Sequence, residues 1–128
     1  MILKEARGIS KKFCNDFDIP YCEIYYVDRL DDMECGEVFG VYIPLKPHHM
    51  LVLQDVNHIV IIAHELTHHL QEISYGINEG EYDHGYHFQL AKRKAKKWFI
   101  NNVSSKSDWK LPFSARFTEE DMNKFKIL

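Results

Sequence analysis

The sequence predicts an α+β fold, and three observations carry that expectation. Apolar residues recur at helical spacing near the start of the chain and again in two later segments. Three short runs rich in β-branched and aromatic residues lie between the first helix and the second. The length, 128 residues, suits one core, so a single domain is expected over 1–128, with its core at about 1–103 and a C-terminal extension over 104–128.

Over 2–17, Ile2, Leu3, Ala6, Ile9, Phe13 and Phe17 stand three and four apart with charged residues between them, which predicts an amphipathic helix ending before Pro20. Tyr21–Val27 reads as a strand broken by Asp28, Asp31 and Asp32, a second strand spans Glu37–Ile43 up to Pro44, and a third spans Met50–Leu53. Asp55 or Asn57 is placed to cap a second helix. Over 58–73, Ile59, Ile62, Leu66, Leu70 and Ile73 form a helical stripe that Val60, Ile61 and Ala63 widen almost to a full circumference, so this helix is expected to be buried. Gly76, Asn78 and Gly80 mark a loop. From about Asp83, Phe88, Ala91, Ala95, Phe99 and Val103 trace the core stripe of another helix, and Thr118-Glu119-Glu120-Asp121 resembles a cap for a last short one.

Composition narrows the chemistry. Eight histidines stand against three cysteines, and Cys14, Cys22 and Cys35 form no CxxC pair, so imidazole chemistry is favoured over a thiolate cluster or a disulfide framework. Charged residues interrupt the first turn and no 18-residue uncharged stretch occurs, which predicts a soluble, cytoplasmic protein without a membrane partner. The net charge of −3 hides an asymmetry: residues 1–80 hold 6 basic and 13 acidic side chains, residues 81–128 hold 10 and 6.

The buried helix carries His64-Glu65-Leu66-Thr67-His68, an HExxH motif. Residues four apart on a helix stand one above the other, so the two imidazoles reach one ion while Glu65 lies beside it. Zinc suits such nitrogen donors and in catalytic sites keeps one position for water. That water becomes acidic enough, at a pKa of about 7, for a carboxylate such as Glu65 to take its proton, which is the chemistry of peptide hydrolysis. One zinc per chain and a protein or peptide substrate are therefore expected. A third ligand is needed, and His84, at the entrance of the next helix with Gly85 and Phe88 after it, is the leading candidate. His87, Glu79, Glu81 and Asp83 stay open as alternatives.

The two motifs together, His64-Glu65-Leu66-Thr67-His68 and His84-Gly85-Tyr86-His87-Phe88, resemble those of the SprT-like zinc metalloproteases, a compact branch of the zincins with members that act on DNA–protein crosslinks. The resemblance covers roughly residues 1–103 and implies a minimal, gluzincin-like zincin: an N-terminal helix, a three-stranded sheet, the HExxH helix and a second ligand-bearing helix. It implies His64, His68 and His84 as zinc ligands, Glu65 as catalytic base, and an edge strand beside the metal helix that pairs with extended substrate. The cysteine-rich ribbon of the bacterial members and the DNA- and partner-binding tails of the eukaryotic ones have no counterpart here, so the chain looks like a stand-alone catalytic core of the kind found in bacterial and phage genomes.

Other residues admit both functional and structural readings. An oxyanion would need a donor besides zinc, and among Tyr75, Tyr82, Tyr86 and His87 the choice falls on Tyr82 or His87. Glu72 or Asp83 is placed to orient a zinc imidazole. Lys92, Arg93, Lys96 and Lys97, with Lys94, form a basic run that either contacts a nucleic-acid backbone or is simply a solvated helix face. His48 and His49 read as surface loop residues, His69 as helix-surface packing or support for a ligand, and His58 as structural. The rival function is an inactive or structural zinc protein serving as a nucleic-acid-binding or interaction module, and a zinc hydrolase acting on a non-peptide bond is a further one.

Overall fold

The computed structural model describes residues 3–32, 36–37, 40–44, 49–54, 59–76 and 85–104. Their architecture is α+β: helices packed against a small mixed sheet. Helix α1 spans Leu3–Asp16 and is followed by strand β1, Cys22–Val27. Two-residue strands β2 (Asp31–Asp32) and β3 (Gly36–Glu37) pair as a separate antiparallel ribbon. Strands β4 (Gly40–Pro44) and β5 (His49–Gln54) precede helix α2 (Ile59–Tyr75), and helix α3 (Tyr86–Phe99) runs on into a π-helical turn over Ile100–Ser104.

The sheet order is β1-β5-β4, with β5 parallel to β1 and antiparallel to β4. Alternation sets its inner face: Cys22 and Ile24 of β1 and Leu51 and Leu53 of β5 are all fully buried. Helix α1 is tied to β1 by Ser10, whose hydroxyl donates to the Cys22 carbonyl at 2.6 Å, and by Arg7, which donates to the Ile24 carbonyl and pairs with Glu23 at 2.9 Å. Its apolar stripe, Ala6, Ile9 and Phe13, meets α3 in an aromatic cluster in which Phe13 packs edge-on to Trp98 and beside Phe99. The Trp98 indole N–H donates to Asp16 at 2.8 Å, which closes the far end of the two helices.

Helix ends obey local chemistry. α1 stops where Asp18 takes a left-handed conformation, φ 54°, and Ile19 N–H reaches back to the Cys14 carbonyl. α2 stops at Gly76, φ 75°, whose N–H bonds the Glu72 carbonyl, a conformation for which a residue without Cβ is suited.

Several sequence expectations change. β1 does end at Val27, ahead of the predicted break, but Asp31 and Asp32 then pair with Glu37 and Gly36, because two residues of backbone pairing need no apolar pattern. The strand predicted over Glu37–Ile43 is described as two pieces: Glu37 belongs to the ribbon and Gly40–Pro44 to the main sheet. α3 begins at Tyr86 with Gly85 as its N-cap, not near Asp83. The helix proposed at 118–127 lies outside the described residues, as do Cys35, His48, Asp55, Asn57 and His58. Cys14 and Cys22 are free and buried. Burial pushes the Cys14 thiol up to about 11 and that of Cys22 higher still, which makes them packing groups and not nucleophiles. Among the described residues no helix is long and apolar enough to cross a membrane.

Candidate metal centre on helix α2

Helix α2 is buried because its apolar residues nearly encircle it, and that burial carries its polar residues inward. His64 is 3% exposed, Glu65 8%, and Thr67 and His69 are fully buried. Thr67 satisfies its hydroxyl on the Ala63 carbonyl at 2.7 Å, within the helix itself. His64 and His68 likewise meet within the helix, while His69 finds its partners on β4 and at Pro20.

His64 and His68 converge. Their Nε2 atoms lie 3.2 Å apart with the rings nearly perpendicular, at 83°. A separation of 3.2 Å suits an N–H of one neutral ring donating to the bare nitrogen of the other, and it equally suits one cation held by both. Two nitrogens on one tetrahedral zinc, each ~2.0–2.1 Å from the ion, stand about 3.3–3.4 Å apart. The pair therefore fits two corners of a zinc site by distance and by donor type. Phe88, fully buried in the first turn of α3, packs against both rings, with centroids 5.3 Å from His64 and 4.6 Å from His68. On its far side, His68 presents Nδ1 to the Gln71 side-chain oxygen at 3.1 Å.

Glu65, next to His64 in sequence, lies against strand β4. A Cβ built on Gly40 would stand 3.5 Å from the Glu65 side chain, and only 2.8 Å from Ile61 and 2.7 Å from Leu53. The absence of a side chain at Gly40 is what lets β4 lie against the helix at Ile61 and the Glu65 side-chain stem. β4 is the last strand of the sheet, and among the described residues β5 is its only strand partner.

One turn along the same face, a second polar group joins helix to sheet. Tyr42 on β4 bonds His69 Nδ1 at 2.8 Å and His49 Nδ1 at 3.0 Å, and His69 Nε2 bonds the Pro20 carbonyl at 2.6 Å. Burial lowers the His69 pKa to about 4, so the ring is neutral at pH 7. The surface-loop role expected for His49 is thus overturned, while His69 packs the helix against the sheet. His49 opens β5 and is 4% exposed, and His69 is fully buried, because α2 packs against β4 and β5.

The remaining site residues are scattered. His84, Tyr82, Glu79, Glu81 and Asp83 lie outside the described residues. Among the described residues no three His, Cys, Asp or Glu side chains gather as a metal-holding group. His87 stacks flat on Tyr75, with centroids 4.7 Å apart, and Tyr86 is 69% exposed. Lys94 is turned over the Tyr75 ring at 5.9 Å, which separates it from the rest of the basic run. Arg93, Lys96 and Lys97 do come together: with Ile100 and Asn101 they line a concavity of about 240 Å³ in which Lys92 has no part. Sequence reasoning missed Gly40, Tyr42 and Gln71. Only Gln71 carried a signal, since a residue three positions after a helical ligand stands beside it.

No protein-family model, curated protein or solved structure matches this chain.

Proposed function

We propose that this protein is a zinc-dependent endopeptidase of the SprT-like kind, with His64 and His68 as two ligands, His84 as the third and Glu65 as the base. The carrying observation is the 3.2 Å approach of the two Nε2 atoms on a buried helix, with a carboxylate held between them in sequence and turned toward an edge strand. Zinc, when bound, supplies Lewis-acid polarisation of a carbonyl and acidifies water. Glu65 takes a proton from that water at its carboxylate and delivers it to the leaving amine. β4, with one strand partner among the described residues, offers backbone groups to an extended peptide, which aligns a scissile bond with Glu65. Either Tyr82 or His87 donates to the oxyanion. A rival zinc protein without catalysis has no use for a carboxylate in that position.

Purified protein is expected to hold about one zinc per chain, to lose it in His64→Ala and in His84→Ala, and to keep it in Glu65→Gln. Peptidase activity is expected to disappear in all three variants. Protein that refuses added zinc would overturn the reading.

The Arg93, Lys96 and Lys97 concavity supports a second feature, binding of a nucleic-acid phosphate backbone, so that the peptide substrates are DNA-associated proteins. Binding to DNA that weakens steeply with salt and falls in Arg93→Glu is the expected result. Equal binding by wild type and variant would remove DNA from the proposal and leave the peptidase intact.

A further inference from the structure

We propose that Gln71 is a positioning residue for the metal ligand His68: its side-chain oxygen accepts the Nδ1 hydrogen and thereby turns the Nε2 lone pair toward His64. The inference rests on the zinc reading above and adds a residue to it. A neutral imidazole carries one hydrogen on two nitrogens, so whatever holds that hydrogen at Nδ1 leaves Nε2 as a donor to metal. Gln71 Oε1 lies 3.1 Å from His68 Nδ1, while Nε2 of the same ring lies 3.2 Å from His64 Nε2. The two contacts sit on opposite nitrogens of one ring and answer different needs. Were the carboxamide turned so that its NH₂ faced Nδ1, the ring hydrogen would move to Nε2 and occupy the corner that a metal requires.

The placement is built into the helix. Gln71 comes three residues after His68, the spacing at which side chains on adjacent turns meet. It is half-buried, so its hydrogen bond is partly shielded from competing water. Glu72, which sequence reasoning put in this role, comes one residue later on α2. Its Oε2 is buried and has no hydrogen-bond partner among the described residues. A neutral amide in place of a carboxylate makes His68 a weaker donor than a carboxylate–histidine pair would, which leaves room for a gain by substitution.

That gain makes the test two-sided. Zinc affinity is measured by competition with a chromophoric chelator for wild type, Gln71→Leu and Gln71→Glu, with circular dichroism and thermal melting to confirm that each variant is folded. Gln71→Leu is expected to bind zinc about 10–100-fold more weakly, and Gln71→Glu to match or exceed wild type. Nitrogen-15 spectra of the His68 ring in chelator-stripped wild-type protein are expected to show Nδ1 protonated and Nε2 bare. A Leu variant within about threefold of wild type, an equal loss in both variants, or a His68 ring protonated at Nε2 would each overturn the proposal. If wild-type protein takes no zinc at all, the peptidase reading fails, and the nitrogen-15 spectrum still decides whether Gln71 sets the ring.

Discussion

Tyr42 and His69, 27 residues apart, are joined by a 2.8 Å hydrogen bond between the phenol oxygen and Nδ1, and the direction of every hydrogen around that bond is set by one carbonyl. The Pro20 carbonyl can only accept, so His69 Nε2 donates to it and His69 Nδ1 is left as an acceptor. The Tyr42 hydroxyl therefore donates to His69, and its oxygen accepts from His49 Nδ1. One tyrosine thus satisfies two buried imidazoles and locks α2 to β4 and β5. Tyr42→Phe keeps the ring and removes the link. The loss expected is about 1–3 kcal/mol for each buried group left unpaired. Urea denaturation of chelator-treated protein measures it, and an unchanged midpoint would show that the three side chains do not act together.

The same network sets an acid limit. Burial holds His69 down to about 4, and proximity to His49 adds to this while the bond to Pro20 opposes it. In the unfolded chain the ring protonates near 6.5. Between those values the unfolded state binds the proton and the folded state does not, so stability falls as pH drops from about 6.5 toward 4, by up to ~1.4 kcal/mol per pH unit. His69→Gln is expected to be less stable at pH 7 and to show a shallower decline over that window. Slopes are compared in chelator, so that protonation of the zinc ligands contributes equally to both proteins. Parallel slopes would mean that His69 takes its proton in the folded state at an ordinary pH.

Gly40 predicts a steric effect at the base. A methyl group there meets Leu53 at 2.7 Å and Ile61 at 2.8 Å, both side chains of the packed interior, and Glu65 lies just beyond at 3.5 Å. Gly40→Ala is expected to cost about 1–3 kcal/mol by overpacking. Peptidase activity should fall further than stability at the assay temperature explains, because β4 must move off α2 at the carboxylate. Zinc content should stay at the wild-type level, since His64 and His68 are not on the face that Gly40 touches. A variant as active and as stable as wild type would mean that the strand has room to spare.

The helices were legible because their burial tracks their period. Ala6, Ile9 and Phe13, then Ile59, Ile62, Leu66 and Leu70, then Phe88, Ala91, Ala95, Phe99 and Val103 are all buried where spacing put them. The approach of His64 to His68 was legible for the same reason, since four residues on a helix fix which side chains meet. His49 was misread because its environment is set by which residues of β4 and β5 fall opposite each other and how the sheet sits on α2. That register pairs Pro44 with His49 and Tyr42 with Leu51, and no local pattern encodes it. Gly40 gave no signal either, since a lone glycine in a strand reads only as weak strand propensity until its neighbours are known.

Phe88 links His64 and His68 to the core, and it separates a packing role from a chemical one. Its ring is fully buried and lies within 5.3 Å of both imidazoles, centroid to centroid, so it fixes the side of the pair that faces α3. Phe88→Ala opens a cavity there, and about 3–5 kcal/mol of stability should go with it. Phe88→Leu keeps most of the volume while removing the aromatic ring against which both imidazoles lie tilted, so its stability should fall by less than ~1.5 kcal/mol. Zinc affinity then reports the ring's second role. If the aromatic face orients His64 and His68, the Leu variant binds zinc measurably more weakly than its small loss of stability requires. Equal zinc affinity in wild type and the Leu variant would make Phe88 a filler of space alone, and the geometry of the pair would then be set from within α2.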